Sequence, residues 1–355
     1  MNSPTTLSEL CDAVKSLPQV RVIGGGTKPA LSAGANLSTA KLSGILEYDP
    51  TEYTFTALAG TTLSEVREVL GKDGLALPFD PPFVEAGGTL GGSVAAGLSG
   101  PGRMRYGGLR EFILGAKLVT GEGRVVFGGG KVVKNAAGFD IPKLMVGSLG
   151  RLGVLVELTF KVFPRPATYA TVKIEYADLA AADQAMTALA MSQAEVSCLD
   201  LDPSGTLWAR VGGLSTATDN RVARVLSIAT GGTPTVLKGD NDERIWSDAR
   251  EFRWMPAEHG LIKLPIAPSQ VLDVERLIKP LNTIIPRRYS VGGNVCWLAW
   301  PETLPSRQLD ELCRMLARPA VALSGNFDSP LRARASANAF EKRLFAVFDP
   351  AGKLA

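Results

Sequence analysis

Three glycine clusters with hydroxyl and amine companions stand out in the first half of the chain. They are Gly24-Gly25-Gly26-Thr27-Lys28, Gly87-Gly88-Thr89-Leu90-Gly91-Gly92-Ser93 and Gly147-Ser148-Leu149-Gly150-Arg151-Leu152-Gly153. Glycine reaches backbone angles that a Cβ forbids, and it lets main-chain N–H groups come close to a ligand. Rows of such amides suit an anion, and several turns together suit a dinucleotide pyrophosphate. Gly24–Lys28 and Gly88–Ser93 are expected to form two walls of amides around it. Gly91 and Gly92 would leave room for the phosphates. Each N–H to phosphate bond is charge-assisted and roughly twice as strong as a neutral one. Thr27, Thr89 and Ser93 add hydroxyl donors, and Lys28 adds a point charge. The competing reading is a set of ordinary turns in a β-rich unit.

Two familiar phosphate motifs fail. A Walker A loop needs G-x-x-x-x-G-K-[ST]. Around Gly130-Lys131 its first and last positions are Val125 and Val132. The Rossmann fingerprint needs a third glycine where Pro29 stands, and no parallel βαβ run follows. Metal and triad chemistry also find little support. The chain has one histidine, His259, and four scattered cysteines, Cys11, Cys198, Cys296 and Cys313, with no CxxC pair. No zinc or iron–sulfur ligand set is readable, so no metal is expected. The thiols read as reduced packing residues of a cytoplasmic protein.

The 355 residues suggest about two domains. With 38 basic and 35 acidic residues and no basic run, nucleic acid is not an expected partner. The start lacks a secretory signal, and the most apolar long window, residues 141–163, carries four charges, so membrane contact is expected only through partners. Capping boxes at Thr6–Glu9 and Thr62–Glu65 open two helices. Strands are expected at 20–23, 53–59 and 154–163, with a hairpin around Gly121-Glu122-Gly123. Pro164-Arg165-Pro166 reads as a boundary. Beyond it, a βαββα order over 169–229 partly returns over 261–323, which resembles two ferredoxin-like halves. Residues 331–348 read as one final helix. The expected units are 1–166, a cap of two βαββαβ halves over 167–330, and a C-terminal helix within 331–355 that returns to the first unit.

The stretch from Val22 to Pro164 resembles the FAD domain of the vanillyl-alcohol oxidase/p-cresol methylhydroxylase (PCMH) superfamily, and within it the glycolate oxidase and D-lactate dehydrogenase group. The residues that carry the likeness are Gly87–Gly97, Ser99-Gly100-Pro101, Arg103-Met104-Arg105-Tyr106-Gly107, Val132–Asp140 and Gly147–Gly153. The segment Val133-Lys134-Asn135-Ala136-Ala137-Gly138-Phe139-Asp140 and the overall length look most like the small FAD-binding subunits of bacterial glycolate oxidases. The resemblance implies an α+β fold, a two-lobed PCMH-type FAD-binding domain followed by a ferredoxin-like cap. It implies that Gly24, Gly25, Gly26, Thr27, Lys28, Gly88, Thr89, Gly91, Gly92 and Ser93 hold the pyrophosphate. Ser99, Gly100, Arg103 and Tyr106 would lie along the flavin, with Lys134, Asn135 and Asp140 near the ring. Gly153 and Val154 would reach the adenine end. Asp140, before Ile141-Pro142, reads equally as a helix N-cap.

Some superfamily members tether FAD through a histidine in the first glycine loop. This loop has none, which implies non-covalent FAD. Oxidising a 2-hydroxy acid such as glycolate needs a base for the hydroxyl proton and a cation for the carboxylate. The candidates are His259 for the base and, among Arg250, Arg253, Arg287 and Arg288, which could clamp a carboxylate, Arg253; a surface, packing or solvated role is open for each. The resemblance implies an oxidoreductase subunit that works with a larger paralogous flavoprotein and an iron–sulfur subunit, in the cytoplasm and peripheral to the inner membrane through these partners. The alternatives are an autonomous FAD-dependent D-2-hydroxy-acid dehydrogenase and a non-catalytic assembly subunit with a vestigial site.

Overall fold

The computed structural model describes residues 1–130, 139–334 and 337–354. Helix α1 (Leu7–Ser16) starts where Thr6 accepts the Glu9 amide and the Glu9 carboxylate accepts the Thr5 amide. Its Leu10 and Val14 pack with Leu37, Val154 and Val156. Strand β1 (Val22–Ile23) pairs with β2 (Leu37–Ser38), the one parallel pair among the described strands. Then come β3 (Ile45–Asp49), β4 (Thr54–Leu58), α2 (Leu63–Lys72), β5 (Leu75–Ala76), α3 (Leu90–Ala96) and α4 (Arg103–Tyr106). The hairpin β6 (Ile113–Val119) and β7 (Val125–Gly129) follows, then α5 (Ile141–Met145), β8 (Val154–Lys161) and β9 (Phe163–Pro164). β9 pairs with β5.

A five-stranded antiparallel sheet of order β3-β4-β8-β6-β7 is the scaffold of this part. β8 reads as a nearly continuous apolar run because it lies at the centre with both faces covered. Val94 of α3 and Val66 of α2 pack in the same core as Leu158 and Phe160 of β8.

The second sheet has nine strands and begins at Thr168. β10 (Thr168–Glu175), α6 (Leu179–Ala190), β11 (Cys198–Leu201), β12 (Thr206–Gly213), α7 (Ser215–Ile228) and β13 (Thr233–Lys238) form a unit of order β13-β10-β12-β11. Helix α8 (Asp240–Arg250) links it to β14 (His259–Pro265), α9 (Val271–Ile278), β15 (Arg287–Ser290), β16 (Val295–Pro301), α10 (Ser306–Met315) and β17 (Ala320–Ala322). This second unit has order β15-β16-β14-β17. Each order is that of a ferredoxin-like fold, as the βαββα pattern leads one to expect. The units meet at β11 and β15 through one ladder pair, Leu201 with Tyr289, and a bond from the Gly292 amide to the Leu199 carbonyl of 2.8 Å.

Strand alternation gives this sheet two different faces. One packs Val172, Leu199, Ile262 and Leu298 against α6, α7, α9 and α10. The other carries Thr171, Arg210, Arg288, Lys263 and Trp297. There α8 inserts Trp246, fully buried, whose Nε1 donates to Thr171 Oγ1 at 2.7 Å.

The expected helix over 331–348 is shorter. Leu331–Arg332 is instead β18, paired with β17 at the sheet edge. The buried Arg332 guanidinium reaches Asp310 and Asp328, and this long-range pairing overrides the local helical pattern. The helix proper, α11 (Ala339–Phe348), starts at an Asn338–Glu341 capping box and packs Phe348, Leu344 and Phe345 on the core of the five-stranded sheet. Among the described residues no helix is long and apolar enough to cross a membrane.

Candidate functional site

Strand β1 runs directly into Gly24–Lys28. The loop lies so close to the second glycine cluster that side chains are excluded. A Cβ on Gly24 would sit 2.5 Å from Thr89 Oγ1, and one on Gly25 would sit 2.0 Å from the Gly87 carbonyl oxygen. Gly26 has φ +70°, in the left-handed region. None of the five amides from Gly24 to Lys28 donates a hydrogen bond to another described residue. The loop lines a cleft of about 350 Å³, whose other walls include Gly91, Gly92, Ala95 and Ala96 of α3, Gly153 and Val154, and residues 327–330 from the turn before β18.

Lys28 stands inside this cleft, 9% exposed. Its Nζ donates to Thr27 Oγ1 at 2.8 Å and lies 5.3 Å from the centre of the Phe83 ring. Burial pulls its pKa down to about 8. Four cations are buried among the described residues: Lys28, Arg210, Arg250 and Arg332. The three arginines each reach carboxylates, and Lys28 reaches none among the described residues. An unpaired buried ammonium is costly unless an anion neutralises it. Five unbonded amides beside that ammonium make a donor set suited to a diphosphate.

The second cluster behaves differently from the expected wall of free amides. The Gly88 amide donates to the Phe83 carbonyl at 2.7 Å, and that of Gly91 to the Ala59 carbonyl at 2.7 Å. The Gly92 amide donates to Thr89 Oγ1 at 3.2 Å and the Ser93 amide to the Thr89 carbonyl at 3.0 Å. Thr89 is thus the N-cap of α3. The room beside Gly91 is filled by Ala59, 2.8 Å from a Cβ built there, so this glycine seats α3 on the sheet. Gly92 is the member that faces Lys28, whose Nζ lies 3.5 Å from the corresponding Cβ position.

The remaining sequence candidates separate into several places. Ser99 is buried, and its Oγ accepts the Leu109 amide at 2.9 Å. Gly100 lies against Asp80, with a Cβ position 2.0 Å from the Asp80 carbonyl oxygen. The Arg103 guanidinium makes no hydrogen bond or ion pair with another described residue. Tyr106 lines a second cleft of about 640 Å³ together with Tyr169, Cys198, Arg210 and Arg250. Asp140 is exposed and caps α5 by accepting the Lys143 amide at 3.2 Å; Lys143 holds its carboxyl below the usual range against the cost of burial. Lys134 and Asn135 lie outside the described residues. Gly153, at φ +147°, and Val154 line the first cleft.

The two catalytic candidates lie elsewhere. His259 Nδ1 is 2.7 Å from the Ala257 carbonyl oxygen, and the residue lines neither cleft. Arg253 is held at the surface by Glu85 and Asp248. Two further features were not anticipated from the sequence. Lys263 Nζ donates to the Gly97 carbonyl at 2.8 Å across the boundary between the two sheets' units. Asp80 and Arg250 form an ion pair of 3.1 Å across the same boundary. One lysine in the otherwise apolar run Leu261–Ile266 is the signal that would have exposed the first.

The chain is similar in part to known proteins. Residues 2–129 match the family model of the FAD binding domain. The chain is 41% identical over 167 residues to glycolate oxidase subunit GlcE of Escherichia coli (strain K12), covering 46% of this chain and 48% of that protein. It is 35% identical over 164 residues to glycolate oxidase subunit GlcD of Bacillus subtilis (strain 168), covering 46% and 34%. It is 32% identical over 158 residues to D-lactate dehydrogenase of Anaerostipes hadrus, covering 44% and 32%. These matches span from a third to a half of each relative's length. The fold extends further: alkyldihydroxyacetonephosphate synthase superposes with a TM-score of 0.72 over 99% of this chain and 76% of that one, at 16% identity. Residues 2–129 thus match an FAD-binding domain, and a large antiparallel sheet domain follows.

Proposed function

We propose that this chain is the FAD-holding component of a glycolate oxidase-like 2-hydroxy-acid dehydrogenase complex, with FAD bound non-covalently. The observation that carries the reading is the Gly24–Lys28 loop, where, among the described residues, five amides are unbonded and no carboxylate neutralises the buried Lys28. FAD, when bound, supplies a two-electron acceptor. The chain's own residues hold it: the amides and Lys28 take the diphosphate, and Gly92 keeps the wall facing Lys28 free of a side chain. Gly153 and Val154 bound the far end. We read residues 1–166 as the FAD domain, 167–330 as the cap and 331–355 as a return to the first unit.

The 2-hydroxy acid is oxidised on a larger paralogous flavoprotein, and an iron–sulfur partner takes up the electrons. The assembly works in the cytoplasm and touches the inner membrane through those partners. The single imidazole supports this division of labour, because it is engaged with the Ala257 carbonyl and away from both clefts.

Purification of the chain alone tests the reading. A yellow protein that releases all its flavin on acid precipitation is the expected result. A colourless chain that cannot be reloaded with FAD would refute it and favour an assembly role. Bleaching of the isolated yellow chain by glycolate or D-lactate would favour autonomous D-2-hydroxy-acid dehydrogenase activity. Co-purification with partners, with flavin assigned to each polypeptide, then tests the complex.

A further inference from the structure

Lys263 belongs to β14, and strand alternation turns it to the sheet face that meets the FAD domain. Its ladder neighbours there are Trp297 on β16 and Val321 on β17. Its Nζ donates to the Gly97 carbonyl, at the C-cap of α3, which satisfies one of three N–H bonds. No carboxylate pairs with it among the described residues. Arg103, the charged neighbour that acts on it, is a second cation and lacks a described carboxylate of its own. Lys263 is deep enough that burial, aided by Arg103, pulls its pKa to about 8, yet it keeps accessible surface. Two N–H groups of its ammonium thus have no acceptor among the described residues.

Lys28 and Lys263 both adjoin α3, the first beside Gly92 and the second at the Gly97 carbonyl. The first cleft follows α3 from Gly92, beside Lys28, to Ala96. From Gly92 to Gly97 the chain rises about 7–8 Å. The contacts of Lys28 and Lys263, neither paired with a described carboxylate, therefore lie toward opposite ends of one short helix. A flavin nucleotide has two places that attract cations. One is its diphosphate. The other is the N1–C2=O edge of the ring, which becomes negative when the ring gains electrons. A five-carbon ribityl chain separates them, a span comparable with that rise.

We propose that Lys263 is the cap domain's contact with the flavin ring, its ammonium facing the pyrimidine edge while Lys28 serves the diphosphate. This rests on the FAD reading above. In this arrangement the cap sets the ring's affinity for electrons, and the glycine loop sets retention of the nucleotide. A mere strut capping α3 would make the same bond to Gly97 but would respond to neither ring nor charge.

Acetylation of the flavin-free chain by an N-hydroxysuccinimide ester, read lysine by lysine in the presence of ADP or FAD, tests the placement. ADP carries the diphosphate without the ring. The expected result is Lys28 shielded by both and Lys263 shielded by FAD alone. Lys263 labelled equally with and without FAD, while Lys28 is shielded, would overturn the proposal and leave the cradle standing. Shielding of Lys263 by ADP would overturn it too. Shielding of neither lysine by either nucleotide would overturn the cradle itself. As a second measurement, Lys263→Met is expected to keep FAD but lower its midpoint potential, with Lys263→Arg restoring it. An unchanged potential in Lys263→Met would also refute the assignment.

Discussion

The glycine loop at Gly24–Lys28 and the charged face around Arg210 solve opposite problems with similar groups. At the face, Arg210 reaches Asp242 at 2.6 Å and Glu243 at 3.0 Å, and Arg250 reaches Asp80 and Glu243. Thr171 and Trp246 complete the network. Both buried arginines there are matched within the chain. At the loop, the cation and the amides beside it are unmatched among the described residues. Burial of charge alone does not mark a binding site, because structural networks bury charge too. The discriminating feature is whether the fold itself supplies the counter-charge.

The largest effect is expected on the matched side. Asp242→Ala leaves the buried Arg210 with Glu243 alone, and breaking a buried pair of this kind costs about 3–5 kcal/mol. Urea unfolding should show that loss, while FAD affinity of the folded fraction stays unchanged. Lys28→Met should do the reverse. A charge-assisted contact contributes about 1.5–3 kcal/mol, so FAD is expected to bind roughly ten- to a hundredfold more weakly. The flavin-free variant should unfold no more easily than the parent. Equal affinity in a fluorescence titration would break the comparison.

Proton linkage gives a smaller, sharper test. The fold pulls Lys28 and Lys263 from 10.5 to about 8. Between those values the unfolded chain holds protons that the folded chain has lost, so stability of the flavin-free protein should rise with pH across that window. FAD affinity should fall as pH rises through about 8, because the ammonium that meets the diphosphate is lost. Parallel rather than opposite trends would contradict the role given to Lys28. The smallest effect is expected at Arg253→Ala, where the ion pairs with Glu85 and Asp248 are exposed. Neither melting temperature nor flavin content should change measurably.

Most local signals in the sequence were faithful, the helix expected from 331 being the exception because Leu331–Arg332 pairs with β17. The Thr6 and Thr62 caps, the hairpin at Gly121-Glu122-Gly123 and both ferredoxin-like repeats follow from residues a few positions apart. What escaped depends on distant partners. The amides of Gly88 and Gly91 are bonded to Phe83 and Ala59, which no spacing rule reveals. β13 is an exposed edge strand without alternation, and α8 opens on Asp240-Asn241-Asp242-Glu243, a polar run that resembles a loop. Lys263 escaped because alternation normally turns such a residue to water, whereas here the FAD domain covers that face. Lys28 was legible as a loop lysine, but its isolation from the described carboxylates was not.

The junction of the two ferredoxin-like units has a mechanical consequence. Elsewhere in the large sheet, strands such as β10 and β12 are laced along eight residue pairs, but β11 and β15 share one. Side chains bridge that gap, with Arg288 Nε donating to Asp200 at 2.6 Å and Ser290 Oγ donating to the same carboxylate at 2.7 Å. A seam with one ladder pair and one further main-chain bond is expected to open before the eight-pair ladder of β10 and β12. Amide hydrogens along this seam should exchange with deuterium ahead of those in the flanking strands, and the two halves of the cap should bend about it as pages bend about a spine.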